Sequence, residues 1–568
     1  MLVESKIGAM LNKSAANNVG KILYLGLPAV SLLVTGFASY DPVNVGKMVL
    51  AVGVGFALFA LAFRYGFKYL LSNYKTPTLA AFFFGLAGLV TSFFSSAPFV
   101  QNLFGVFGRN TGLLTYLGLI GIFIGTLLII EKDSFTRIIK ALLVAGVLNV
   151  FFCGLELSGT NVFGFNNIYG EILGTFGNPN FISSFLGIFT SVLICFYIGG
   201  KYSWIVKFIV LLVATAAFYE VYKSKSIQGI VVIALGLAYF GYLIVRAYFK
   251  SIAYQAVYIL GAVTAAVFAI AGALQVGPLT SLIYKGSVSL RGEYWKAGIT
   301  AALDHPLTGV GFDTYGDWYR RTRSASAMIV PGPDVITNSA HNVNIDIFSY
   351  GGFLVLMPYL ILLICAAVAV VRFISRTKTY DPLFAALSVA WLCYQAQAII
   401  SINQIGLAVW GWALTGLVIA YEKVTRTSRP QEVSQKPRDK RNSKSDASAT
   451  VYLIGTAGFA LGIVIASPPF LADAGWRNAM KAGNAEQVVA AANRWPLDSY
   501  RLANISIALA QNKFEAQGLE IARKGAVFNP DYFDSWKVIA GIPGSTSEEK
   551  KKAIEEMKRL DPRNNSIK

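Results

Sequence analysis

Thirteen apolar stretches punctuate this chain, most of them roughly 18–22 residues long, the length needed to cross a hydrocarbon core about 30 Å thick. They fall at 21–39, 46–63, 77–97, 112–130, 136–156, 181–199, 203–221, 228–247, 253–274, 341–371, 382–400, 403–421 and 450–468. Stretches of this length predict membrane-spanning helices. Composition agrees: 55% of residues are hydrophobic and only 14% charged, with mean hydropathy +0.54. A soluble chain of 568 residues would need far more charge to cover its surface. The expected fold is therefore all-α: a polytopic membrane protein of about 12–13 transmembrane helices. A long external loop (275–340) and a small C-terminal helical domain complete it. Cys153, Cys195, Cys365 and Cys393 all lie inside apolar stretches and read as small core hydrophobes. They suggest neither a disulfide framework nor a metal cluster.

The net charge of +19 raises the question of nucleic acid, and its distribution answers it. With the N-terminus cytoplasmic, basic residues collect on the inner segments: Lys6, Lys13 and Lys21, then Arg64, Lys68 and Lys75, and onward to eight between Lys423 and Lys444. The short outer loops hold only Lys47, Arg109, Lys223 and Lys225. This is the positive-inside bias, so the excess is topological and calls for no polyanion. Met1 to Asn18 reads as a polar lead-in and not as a cleavable signal. The alternation of spans places 98–111, 157–180, 222–227, 275–340 and 401–404 on the external face.

Residues 1–422 form the membrane domain, followed by a basic linker (423–450) rich in Lys, Arg, Ser and Pro and predicted to be disordered and cytoplasmic. The last span (451–470) returns the chain outward to a soluble, helix-patterned tail (471–568). In that tail Pro496, Pro530 and Pro562 recur at intervals of roughly 34 and 32 residues, with alanine-rich segments between them. The pattern resembles tetratricopeptide repeats, whose concave surface binds a peptide or protein. A small helical domain with prolines spaced by chance is the other reading.

The segment from Val276 to Phe353 is where chemistry is expected. It carries both histidines of the chain, His305 and His341, together with Arg291, Arg320, Arg321 and Arg323. Arg291 offers a planar donor fork suited to a diphosphate or a carboxylate; alternatively it forms a salt bridge, for instance with Glu293. His305 precedes Pro306, which forces a non-helical exit, and Gly309 and Gly311 give a tight turn. His341 stands at the mouth of the next span with Asn342, Asn344 and Asp346 behind it. Polar groups entering a membrane segment usually serve a site or a wet cavity, and a histidine there can take a proton from a hydroxyl. The alternative is an interfacial cap, with Ser339 or Asn338 starting the helix.

The run "RGEYWKAGITAALDHPLTGVGFDTYG" followed by "AHNVNIDIFSYGGF" resembles the O-antigen ligase and polymerase family of bacterial membrane glycosyltransferases. The matching residues are Arg291 and Trp295, then His305-Pro306-Leu307, Gly309 and Gly311, and His341-Asn342. "GTFGNPNF" (Gly174 to Phe181) and "FGRNTGLL" (Phe107 to Leu114) are similar to outer-face segments of its ligase-like branch, which includes protein O-oligosaccharyltransferases. The resemblance covers roughly residues 80–420. It implies a GT-C-like fold in the bacterial cytoplasmic membrane, with the active loop and tail periplasmic.

It also implies a metal-independent, inverting transfer that uses no cofactor. A glycan leaves a polyprenyl diphosphate for an acceptor hydroxyl on a glycan, lipid or protein. Arg291 would stabilise the departing diphosphate and His341 would receive the hydroxyl proton, while His305, Pro306, Gly309 and Gly311 shape the loop. Lys225, Gln228, Arg109 and Asn342 are the candidates for holding the donor. Where the family carries a second arginine this chain reads "KSKSIQGI", and where it carries an acidic residue nine positions after the histidine Tyr350 stands. Membrane lipids are the surrounding partners, a protein partner on the tail is possible, and nucleic acid is not expected. The rival classes are a transporter of a lipid-linked or anionic solute and a catalytically silent scaffold; no inverted repeat favours the former.

Overall fold

A computed structural model describes residues 12–249, 251–283, 286–427 and 444–567. Lys6, Lys250 and most of the basic linker (428–443) lie outside the described residues. Among the described residues every regular element is helical and none is a strand. The first half of the membrane bundle comprises α1 (Lys13–Leu32), α2 (Asn44–Asn73), α3 (Lys75–Phe94), the short α4 (Phe99–Phe104), α5 (Leu113–Thr126) and α6 (Lys132–Leu157). Next come α7 (Pro179–Ile198), α8 (Trp204–Lys223), α9 (Ile227–Tyr248) and α10 (Ile252–Ala273). Three further helices follow: α11 (Thr280–Ile283), α12 (Gly286–Asp304) and α13 (Tyr315–Thr322). Then α14 (Val343–Arg376), α15 (Pro382–Ile400), α16 (Ile405–Thr427) and α17 (Lys444–Ala482) complete the bundle. The tail consists of α18 (Ala485–Ala492), α19 (Ser499–Gln511), α20 (Glu515–Phe528), α21 (Phe533–Gly541) and α22 (Ser547–Leu560).

Eleven helices among the described residues are long and apolar enough to cross a membrane, the architecture of a multi-pass membrane protein. Two of the thirteen expected spans are not among them. The stretch 21–39 lies on α1, which starts earlier, ends at Leu32, and is diluted by Lys13, Asn17, Asn18 and Lys21. The stretch 112–130 lies on α5, whose 14 residues rise only about 21 Å. Both still belong to the bundle. Nearly all of α5 is buried, and backbones approach closely where Gly118 and Gly121 face Gly55 of α2, since a Cβ there would meet the opposing main chain. At the centre of the bundle α16 is wholly enclosed along its most apolar window, whereas α10 presents almost all of its surface outward.

The segment expected as a long loop (275–340) is helical over somewhat less than half its length, in α11, α12 and α13. The helix after it, α14, is broken inside the expected span: Gly352 sits at φ 55°, ψ −155°. An unbroken helix would pair Phe353 N with Ser349 O and Leu354 N with Tyr350 O. Instead the 306–311 segment lies along the break and satisfies all four groups. Val310 N donates to Ser349 O (2.8 Å) and Gly311 N to Tyr350 O (2.9 Å). Phe353 N donates to Pro306 O (2.8 Å) and Leu354 N to Leu307 O (3.2 Å). Away from water such groups cannot be left unmade. Gly309, at φ 62°, lets this loop touch the α14 backbone.

One end of the bundle is covered by the tail. The last span runs without interruption into it, because α17 is one helix to Ala482. Asp473 on α17 accepts from Tyr40 N and Asp41 N (3.1 and 2.9 Å), and Trp476 packs against Tyr40 and Phe107. The Phe107 ring stacks on Tyr500 of α19 at 4.9 Å. The tail has its own apolar clusters, one around Trp476, Leu502, Ile505 and Ile521 and another around Leu519, Val538 and Ile539.

Candidate active site

His341 occupies a left-handed backbone position, φ 54°, immediately before the residue that caps α14. The cap is Asn342, whose side-chain oxygen accepts from Asn344 N and Ile345 N (3.0 and 3.3 Å). The expected alternative, Ser339 or Asn338 starting the helix, is therefore not what is found, and the Asn342 oxygen faces its own helix. Ser339 instead builds the turn around the histidine: His341 N donates to Ser339 Oγ (3.0 Å), and Ser339 Oγ donates to Asp346 Oδ2 (2.7 Å). The other Asp346 oxygen accepts from Ala340 N (2.8 Å). A buried carboxylate one turn into the helix thus fixes the main chain on which the imidazole is carried.

The imidazole lies against the Tyr294 ring of α12, with centroids 5.6 Å apart. No group among the described residues hydrogen-bonds to its nitrogens. Burial pushes its pKa down to about 3, and the positive charges of Arg291 and Arg109 push in the same direction. At neutral pH it is an uncharged acceptor.

Arg291 is also on α12 and is 9% exposed. The salt bridge with Glu293 that its sequence position offered is not formed: Glu293 pairs with Lys296 (2.8 Å) and accepts from Ser324. Among the described residues Arg291 has no acidic partner. Burial lowers its pKa from the usual arginine range, so its charge is held at a cost. One turn further along, the buried Trp295 indole N–H also lacks an acceptor among the described residues. Two donors four residues apart on one helix face, both without an acceptor, fit an anionic group.

Arg109 is buried and fully engaged by the protein. Its Nε ion-pairs with Asp313 (3.2 Å), one terminal nitrogen donates to Asn338 O (3.0 Å) and Oδ1 (3.2 Å), and the other reaches Tyr350 Oη (3.4 Å). Asp313 in turn accepts from Val106 N and Thr111 N (3.0 and 3.1 Å). Arg109 therefore ties the 105–112 loop to the segment leading into the His341 turn.

Lys225 pairs with Glu171 (2.6 Å). Gln228 is buried and donates weakly to Gln397 Oε1 (3.5 Å), and no hydrogen bond joins it to Arg291 or His341. His305 is exposed at the turn, its ring edge-on to Trp318 (4.8 Å), and its carbonyl accepts from Gly309 N (2.8 Å). His305, Pro306, Gly309 and Gly311 all lie on the segment that seals the α14 break.

The three other arginines of this segment face the tail. Arg323 is fully buried and donates to both Asp561 oxygens (2.8 and 2.6 Å). Arg320 reaches the same carboxylate (3.4 Å) and stacks on Phe533 (3.9 Å), and Arg321 pairs with Asp531 (2.5 Å). Their partners sit in the Pro-containing motifs at Asn529-Pro530-Asp531 and Asp561-Pro562. Sequence reasoning grouped these arginines with the chemistry, whereas their geometry is that of a latch. The residue it did not name is Tyr294 against the imidazole, and Ser339, expected as a helix start, instead supports the turn beneath it; the available signal for that role was Asp346, a carboxylate at the start of an apolar helix.

No protein-family model matches the chain, and no curated protein does.

Proposed function

We propose that this protein transfers a glycan from a polyprenyl-diphosphate donor to an acceptor hydroxyl at the outer face of a bacterial cytoplasmic membrane. The observation that carries the reading is the pairing of a buried arginine without an acidic partner, Arg291, with a neutral, accessible imidazole, His341. Arg291, aided by the Trp295 N–H, binds the diphosphate and stabilises the charge that grows on it as the anomeric C–O bond breaks. The acceptor oxygen forms the new bond from the opposite side of the anomeric carbon, inverting it. Its proton passes to His341.

A bound diphosphate also changes the histidine. It neutralises the Arg291 field that opposes protonation, so His341 becomes the stronger base only when donor is present. The reaction as drawn needs no metal. The membrane domain is then ligase-like and the tail tetratricopeptide-like, in keeping with the sequence resemblance and with consecutive tail helices packing on one another. The basic bias of the inner segments supports the outer-face placement of the site.

The test is expression of wild type, His341→Ala and Arg291→Ala in a host carrying a defined polyprenyl-linked glycan. Wild type is expected to move the glycan to an acceptor, with each variant slower by roughly 10²–10³-fold or more. Equal transfer by all three would overturn the assignment, and donor crossing vesicle membranes without consumption would identify a transporter.

A further inference from the structure

Between the tail and the membrane domain lies a cleft of about 380 Å³, within the size range of small-molecule sites. Its tail wall is aromatic: Tyr500, Tyr532 and Phe533 line it, with Phe107 opposite. Its floor includes Asn338 and Asp313, the two residues that hold Arg109, and Asn338 leads directly into the His341 turn. Tyr500, Tyr532 and Asp534 are shared with a second groove of about 580 Å³ running along α19 and α21 past Asn504 and Gln511. The space is thus elongated, with one end beside the candidate site.

Its polar lining is one-sided. Within the cleft itself the one cation, Arg320, is already neutralised by Asp561 and Asp534, while Lys537 lines the groove beyond it. What remains is acceptor-rich: one Asp317 oxygen takes hydrogen bonds from Gln101 and Asn529, and the Asp534 side chain is 40% exposed. Tyr500 is 43% exposed although the protein packs one face of its ring on Phe107. A ligand suited to this lining donates many hydrogen bonds, carries no negative charge and presents flat apolar faces to aromatic rings. An extended peptide offers as many acceptors as donors and finds few free donors in the cleft itself. A chain of neutral sugar residues, with outward hydroxyls and apolar C–H faces, meets all three conditions.

We propose that this cleft is a glycan subsite that holds neutral sugar residues of the acceptor and delivers its end toward His341. The delivery rests on the transfer reading above; the binding does not. The test uses the full-length protein in lipid nanodiscs on an array of neutral and uronate-containing oligosaccharides, with an unstructured Ser/Thr-rich peptide alongside. Neutral glycans are expected to be retained, with affinity reduced at least tenfold by Tyr500→Ala and by Asp534→Ala but unchanged by Gly261→Ala on α10, where a Cβ would meet open space. Tyr500→Phe, which keeps the ring, should restore most of the binding, and unchanged protease resistance of the tail shows that the variants remain docked. The proposal fails if no neutral glycan is retained, if uronates or the peptide are preferred, or if both groove variants bind as wild type. Binding without any transfer would leave the subsite standing and sink the transfer reading. Transfer that proceeds normally in both groove variants would do the reverse.

Discussion

At His341 the left-handed main chain, the Ser339 hydroxyl and the Asp346 carboxylate together set where the imidazole lies. Its pKa has a consequence for stability. The unfolded chain titrates near 6.5 and the folded one near 3, so between those values the unfolded state holds the extra proton. Stability is therefore full above about 6.5 and falls progressively as pH drops toward 3. Melting temperatures followed from about pH 7 to pH 4 should decline less steeply in His341→Gln than in wild type. Asp346→Asn removes the charge that takes two hydrogen bonds from the turn. It is expected to cost about 1–3 kcal/mol in denaturation experiments and to slow transfer more than it lowers membrane yield. The residue types of the site were legible in the sequence, since an arginine fork and a membrane-mouth histidine announce their chemistry. That Arg291 lacks a partner was not, because the direction Glu293 takes depends on Lys296 and on Ser324, a residue 31 positions away.

The break in α14 belongs to the scale of the element. Hydropathy correctly placed an apolar helix there but is blind to backbone direction, so "SYGGF" gave no warning that the ladder opens at Gly352 and is closed by residues 306–311. The same blindness drew the 112–130 stretch longer than its helix, because the apolar residues run on past the 14 that are helical in α5. A Cβ at Gly352 would stand 2.5 Å from the carbonyl oxygens of Pro306 and Leu307, on a backbone with φ 55°. Gly352→Ala is therefore expected to destabilise the protein by at least about 1–3 kcal/mol and to abolish transfer. Gly261→Ala on α10, where a Cβ meets open space, serves as the control and should be neutral or slightly stabilising. Detergent-phase unfolding of the two variants beside wild type decides the matter.

Over the whole molecule, the tail is latched through buried charge. Asp561 holds Arg323 where neither side chain has any exposure, and Asp531 holds Arg321. Asp561→Ala leaves a buried cation without its partner and is expected to cost about 3–5 kcal/mol, read as faster hydrogen exchange in α13 and easier proteolysis of the tail. Pairing it as Asp561→Leu with Arg323→Met should recover much of the loss, since an apolar pair needs no counter-charge. The sequence located both halves of the latch, three arginines in one segment and a repeated Pro-flanked aspartate in another. It could not join them, because charge complementarity across more than 200 residues has no local signature.

That separation also sets a clock. Arg323 leaves the ribosome 238 residues before Asp561, which at 5–20 residues per second is a delay of roughly 12–48 s. Throughout that interval Arg320, Arg321 and Arg323 are without their tail carboxylates. The order of the chain thus makes docking of the tail the last step, the one that buries these charges.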